Sequence, residues 1–216
     1  MIIRPWSENI WFSPAYVIEE LAKGITRKSK NKLKRLKEAW ICAVAIICWA
    51  KNESTEWWIQ VPRIDPPDVL AMKFVPTEGG KGQDISELKV EVFELREFDD
   101  KEAIEESVAR KLEGKDYLGM TVVGFVRRLG SFDHVRAAQY IQDLKPKAGS
   151  VSLIVFEDKN STMISYIQLF PVTIKFKVDF GAYCKMAGQK DFIEVRRGTR
   201  LQREDSITTD WLTLIP

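Results

Sequence analysis

The sequence predicts an α/β protein: a mixed central sheet with helices on both faces, built on an α-β-β-β-α-β core and followed by a C-terminal antiparallel extension. Three observations carry that expectation. Over residues 30–156 the hydrophobic periodicity alternates between helical and strand spacing in the order α-β-β-β-α-β-α-β. Three successive strands pair antiparallel, whereas a strand-helix-strand succession returns a parallel strand to the same sheet, so both kinds of pairing meet in one sheet. The run at 151–156, Val-Ser-Leu-Ile-Val-Phe, is nearly continuous in apolar residues, as in a strand covered on both faces.

The chain of 216 residues, 45% hydrophobic and 30% charged, is long enough to bury a substantial core and fits one domain. Within that domain we distinguish a Trp-rich N-terminal segment with a short helix (1–29), an α/β core (30–158) and the antiparallel extension (159–216). The seven tryptophans are read as packing residues, because large aromatic side chains dominate core burial.

Residues 1–14 are interrupted by Pro5 and Pro14 and are expected to be irregular. Ser13-Pro14 supplies an N-cap with proline at the first helical position, and Tyr16, Val17, Ile18 and Leu21 form the face of a helix ending near Gly24. A second helix begins near Ser29 or Asn31. Its first half places Leu33, Leu36 and Trp40 on one side and basic residues on the others, and its second half is apolar all round to Ala50. Residues 56–61 (Glu-Trp-Trp-Ile-Gln-Val) form a strand stopped by Pro62, Pro66 and Pro67. Asp68 opens a second strand to about Val75, and a third runs from Glu87 or Leu88 to Phe98. Helices follow at 101–113 and 132–144, with strands at 120–126 and 151–156. Beyond Met163, Val172, Ile174, Phe176, Val178 and Phe180 alternate with polar residues, the period of an antiparallel strand with one wet face. Residues 181–216 give one short strand near 192–195 and a basic run through Arg196, Arg197, Arg200 and Arg203.

Composition also excludes some chemistries. The longest apolar run, 39–50, is 12 residues, and a membrane-spanning helix needs about 20. No apolar leader with a small-residue cleavage site is present, so a cytoplasmic location and no membrane partner are expected. Cys42, Cys48 and Cys184 lack metal-ligand spacing and are read as buried reduced thiols. One histidine, His134, does not suffice for a zinc site, and Ser131, Asp133 and His134 lie too close together for a catalytic relay, which leaves them surface or capping roles. The glycines of the 76–82 loop are followed by neither Lys-Ser/Thr nor a helix, so they form no phosphate cradle.

Charge is unevenly spread. Net charge is +2, yet residues 27–37 alone contribute +7, leaving −5 for the remainder. Lys28, Lys30, Lys32, Lys34, Arg35 and Lys37 therefore form a candidate contact for a polyanion such as nucleic acid, or alternatively a solvated helix face.

The stretch from Asp65 to Phe98 is where the carboxylates enter the apolar strands. Asp68 opens one strand, and Glu87, Lys89 and Glu91 share one face of the next with Phe93 and Leu95. Carboxylates from neighbouring strands can hold a hard divalent cation, and a lysine beside them can orient an attacking water. A charge deep in an apolar strand is costly to bury, which favours Glu91 over Glu87 as the second acid.

The element order, with Pro67-Asp68 at the start of the second strand and Glu87-Leu88-Lys89 on the third, resembles the PD-(D/E)XK nuclease superfamily over residues 30–156. That resemblance implies a restriction-endonuclease-like fold, phosphodiester hydrolysis with DNA as substrate, and Mg²⁺ or Mn²⁺ as cofactor. Asp68 with Glu91 or Glu87 would be the metal ligands and Lys89 the lysine, while Glu38 on the first core helix would complete the shell. If Glu91 is the acid, the family's lysine position falls on Phe93, and the basic residue would be Lys89 or Lys73. The other reading is a catalytically inactive protein of this fold that binds nucleic acid or a protein partner. An oligomer is compatible with either.

Overall fold

The structure, a computed structural model, describes residues 9–22, 30–52, 55–62, 66–77, 83–95, 103–126, 132–156, 163–179, 190–197 and 212–215. The elements are β1 (Ile10–Phe12), α1 (Pro14–Ala22), α2 (Lys30–Trp49) with a 3₁₀ turn at Ala50–Asn52, β2 (Trp57–Gln60), β3 (Val69–Pro76) and β4 (Gln83–Leu95). They continue with α3 (Ile104–Leu112), β5 (Tyr117–Val126), α4 (His134–Leu144), β6 (Ala148–Phe156), β7 (Met163–Phe170), β8 (Ile174–Asp179), β9 (Phe192–Arg197) and β10 (Leu212–Ile215). The strands make one sheet in the order β10-β9-β1-β2-β3-β4-β5-β6-β7-β8. The β4–β5 and β5–β6 pairs are parallel, and all others are antiparallel.

The mixed α/β architecture expected from the sequence is thus present, with its predicted element order intact from α2 to β6. On one face the apolar half of α2 packs Ile41, Val44, Ala45 and Cys48 against Ile59, Val69, Ala71, Val90, Val123 and Ile154. On the other, Ile104, Val108 and Leu112 of α3 and Ala137, Ala138 and Ile141 of α4 cover Leu95, Val122, Leu153 and Ile167. Two-sided coverage explains why β6 reads as a continuous apolar run.

Local signals account for the helix starts. The Ser13 hydroxyl accepts from the Tyr16 amide at 3.2 Å, as a cap preceding Pro14 should. Asp133 caps α4, accepting from the Val135 and Arg136 amides at 3.0 Å, and these bonds, that to Arg136 first, hold its carboxyl below the ordinary range. The Ser131–Asp133–His134 cluster is therefore read through its cap; Ser131 lies outside the described residues.

One expectation is corrected and two are extended. The N-terminal segment is not irregular throughout, because residues 10–12 form β1, squeezed between β2 and β9. The strand near 192–195 exists but pairs with β1, and β10 pairs with β9. The C-terminal strands therefore extend both ends of the sheet. Finally, residues 163–179 form two strands, β7 and β8, separated by a turn containing the cis Phe170–Pro171 bond. The basic run at Arg200 and Arg203 lies outside the described residues, as do Lys28 and Cys184.

The described tryptophans pack as expected: Trp11, Trp57 and Trp58 are buried, and Trp40 stacks on Phe156 at 6.0 Å. Trp49 Nε1 donates to the buried Tyr166 hydroxyl at 3.0 Å, so that polar group is satisfied inside the core. Cys42 and Cys48 are buried free thiols, and burial pushes both upward, Cys48 to about 12, which leaves them unreactive. No helix among the described residues is long and apolar enough to cross a membrane.

β5 carries Gly124 where two side chains converge. A Cβ there would meet Phe93 Cζ at 2.5 Å and Leu153 Cδ2 at 2.6 Å. Gly124→Ala is expected to destabilise the protein by about 1–3 kcal/mol. Adding Phe93→Leu should recover part of that loss, as measured by denaturant unfolding of the single and double variants.

Candidate metal centre

The β3–β4 register determines which carboxylates can meet. Val69 pairs with Val90, so the next antiparallel step sets Asp68 opposite Glu91. Asp68 lies immediately before β3, after the cis Pro66–Pro67 bond, and is 8% exposed. Its Oδ2 accepts from the Val92 amide at 2.9 Å. The carboxylate thereby continues the ladder beyond the last β3 backbone pair, a charge-assisted bond of about 1.5–3 kcal/mol. Glu91 is half-buried, with Oε2 shut off from solvent.

Alternation along β4 separates two faces. Leu88, Val90 and Val92 pack with the α2 core, whereas Phe93 and Leu95 pack with the α3/α4 core. Glu91 belongs to the second face, as do Glu87 and Lys89. Glu87 is the fifth residue of β4, within the strand, and pairs with Met72. Four residues of strand separate it from Glu91, about 13 Å, so the register sets Glu91, and not Glu87, opposite Asp68. Lys89 pairs with Leu70 and is exposed, one pleat from Glu91 on the same face. Lys73, the other basic residue considered, lies farther along β3 with its Nζ 4.9 Å from the Trp57 ring centroid.

The basic helix comes to the same level of the sheet from the opposite face. Gln60 pairs with Leu70, which puts Pro62 in line with Asp68. Arg35 Nη1 donates to the Pro62 carbonyl oxygen at 2.6 Å, pinning the N-terminal half of α2 beside that end of β2. Glu38 is 8% exposed, and one of its oxygens pairs with Lys34 Nζ at 3.2 Å. Lys34 remains exposed and Lys37 half-buried. Lys30 and Lys32 also lie within α2, so five of the basic positions fall on its first two to three turns. Glu38 is carried by the helix on the α2 face, and Glu91 faces away from it, so the structure does not place these two on one face.

Among the described residues no group of three or more His, Cys, Asp or Glu is arranged to hold a metal ion. A hard cation here would rest on the two carboxylates Asp68 and Glu91, with water and substrate phosphate completing its shell. That donor chemistry suits Mg²⁺ or Mn²⁺, since Mg²⁺ commonly keeps several waters and uses one or two protein carboxylates.

The Val92 amide is the component that sequence reasoning missed, because it becomes a partner of Asp68 only through the strand register. Arg35 was legible as basic but not as a tether to Pro62. No protein-family model, no curated protein and no solved structure matches this chain.

The two roles of Asp68 can be separated. Asp68→Ala is expected to cost about 1–3 kcal/mol by leaving the Val92 amide unsatisfied, whereas Asp68→Asn, which keeps an acceptor oxygen, should retain most of that stability in urea unfolding.

Proposed function

We propose that this chain hydrolyses nucleic-acid phosphodiesters, with DNA as the expected substrate, using Mg²⁺ or Mn²⁺ held by Asp68 and Glu91. The observation that carries the reading is the β3–β4 register, which brings the positions of Asp68 and Glu91 opposite each other at the end of a β2-β3-β4 antiparallel unit, followed by a crossover helix and the parallel β5. The bound cation would polarise the phosphate and lower the pKa of a coordinated water. In this reading Lys89, one pleat from Glu91, orients that water, and Lys34 and Lys37 on α2 hold the substrate backbone. Glu87, the alternative second acid, lies about 13 Å along β4 from this pair, and Glu38 would set the position of Lys34.

A second reading, a catalytically inactive protein of this fold that binds nucleic acid or a protein partner, is favoured by one observation. If Glu91 is the acid, the family's lysine position is Phe93, whose ring packs over Gly124 in the core of the α3/α4 side.

Cleavage of plasmid and single-stranded DNA in Mg²⁺, Mn²⁺ or chelator decides between the two. Ion-dependent cleavage that Asp68→Asn and Glu91→Gln each lower by roughly 100-fold or more supports the nuclease. Cleavage that survives both variants overturns it. Binding without cleavage supports the second reading.

For the basic helix, replacing Lys30, Lys34 and Lys37 by Gln should weaken DNA binding. The dependence of log affinity on log salt should flatten by roughly 0.9 for each lysine that touches a phosphate. An unchanged slope in a salt-titrated binding assay would make the lysines a solvated helix face.

A further inference from the structure

Where β5 and β6 begin, the chain builds a protrusion and a groove side by side. The β5–β6 register shifts between Tyr117 and Thr121, and Leu118 stands out of that irregularity at 79% exposure, the highest value among the exposed large hydrophobic residues. Three features hold it there. Asp116 Oδ1 accepts from the Leu118 amide at 3.2 Å. Gly119 takes φ +71°, a conformation other residues rarely adopt. On the neighbouring strand, Gly149 has no side chain where a Cβ would lie 3.1 Å from the Met120 carbonyl oxygen. A leucine held outward by its own turn chemistry is a positioned side chain.

Beside it, the C-terminal ends of α3 and α4 enclose an open groove of about 660 Å³. Its apolar floor includes Leu112, Tyr140, Leu144 and Pro146, of which Tyr140 and Leu144 are exposed. The α3 side brings Glu106, Glu113 and Asp116 alongside Arg110 and Lys115, while the α4 side brings only Lys145 and Lys147. Both helices also turn their carboxyl ends this way, with the α3 cap at Glu113 and the α4 cap at Lys145. Acids together with helix C-termini disfavour a phosphate backbone. A surface with one acid-bearing wall and one basic wall is instead complementary to itself when rotated by a two-fold axis.

We propose that this end of the sheet is the face through which two copies of the chain pair about a two-fold axis. Leu118 of each copy enters the α3–α4 groove of the other, and the Glu113 side of one copy faces the Lys147 side of its partner. Neither Leu118 nor any residue lining the groove belongs to the proposed metal site, so the pairing stands whether or not the chain is a nuclease.

The test is sedimentation velocity of the full chain over a concentration series, with thermal unfolding run in parallel. A monomer–dimer equilibrium is expected. Leu118→Asp should weaken it at least about 10-fold while leaving thermal unfolding unchanged at concentrations low enough that both proteins are monomeric, because the side chain contributes little to the monomer core. Lys147→Glu alone should also weaken the dimer, and combining it with Glu113→Lys should restore association. A chain that is monomeric at every concentration overturns the proposal, as does a dimer indifferent to Leu118→Asp. DNA binding by a monomer that Lys145→Gln and Lys147→Gln reduce would assign the groove to nucleic acid and overturn it as well.

Discussion

β4 is hydrogen-bonded antiparallel to β3 along one edge and parallel to β5 along the other, and the rest of the fold answers the demands of that strand. A parallel neighbour requires a crossover, which α3 supplies, and the crossover covers one face. The opposite face of β4, with Leu88, Val90 and Val92, then needs a cover of its own, and the apolar half of α2 is that cover. The strand is therefore enclosed on both sides over its second half. Carboxylates there sit next to apolar residues, and Glu91 is half-buried for that reason.

The β3 end of this arrangement is held by a side chain in place of a backbone partner. Where β3 gives way to the Pro66–Pro67 bend, Asp68 takes over as acceptor for the Val92 amide. A single residue thus closes the ladder and presents a carboxylate opposite Glu91. Arg35, bonded to the Pro62 carbonyl, ties the basic half of α2 to the same level. Positive charge and carboxylates are in this way assembled at one end of the sheet from separate elements, while the end at which β5 and β6 begin carries neighbouring charges of both signs.

Much of the core was legible because its signals are local. Period-3.6 spacing with an abrupt change to all-apolar composition marked α2, the Ser13-Pro14 cap marked the start of α1, and the apolar run marked β6, whereas α4 was expected from residue 132 and starts at His134, after its Asp133 cap. Asp68 and Glu91 could be nominated as carboxylates in apolar strands. Their relation could not, since it rests on a register in which a slip of one residue would turn Glu91 to the α2 face. The same limit hid β1: three residues, Ile10–Phe12, have too little periodicity to be recognised, and they become a strand because β2 and β9 pair with them on both sides.

By itself, then, the sequence determined the class of fold, the order of elements from α2 to β6, the Ser13-Pro14 cap, and the segregation of basic charge into residues 27–37, because each depends on residues near one another along the chain. Only the tertiary structure decided that the position of Asp68 falls opposite that of Glu91 and that its carboxylate bonds Val92, that Glu38 is borne by the opposite face, and that the C-terminal strands divide between the two edges of the sheet. Those outcomes are fixed by pairing between segments distant in sequence, and nothing in local propensity or spacing encodes which edge a strand will join.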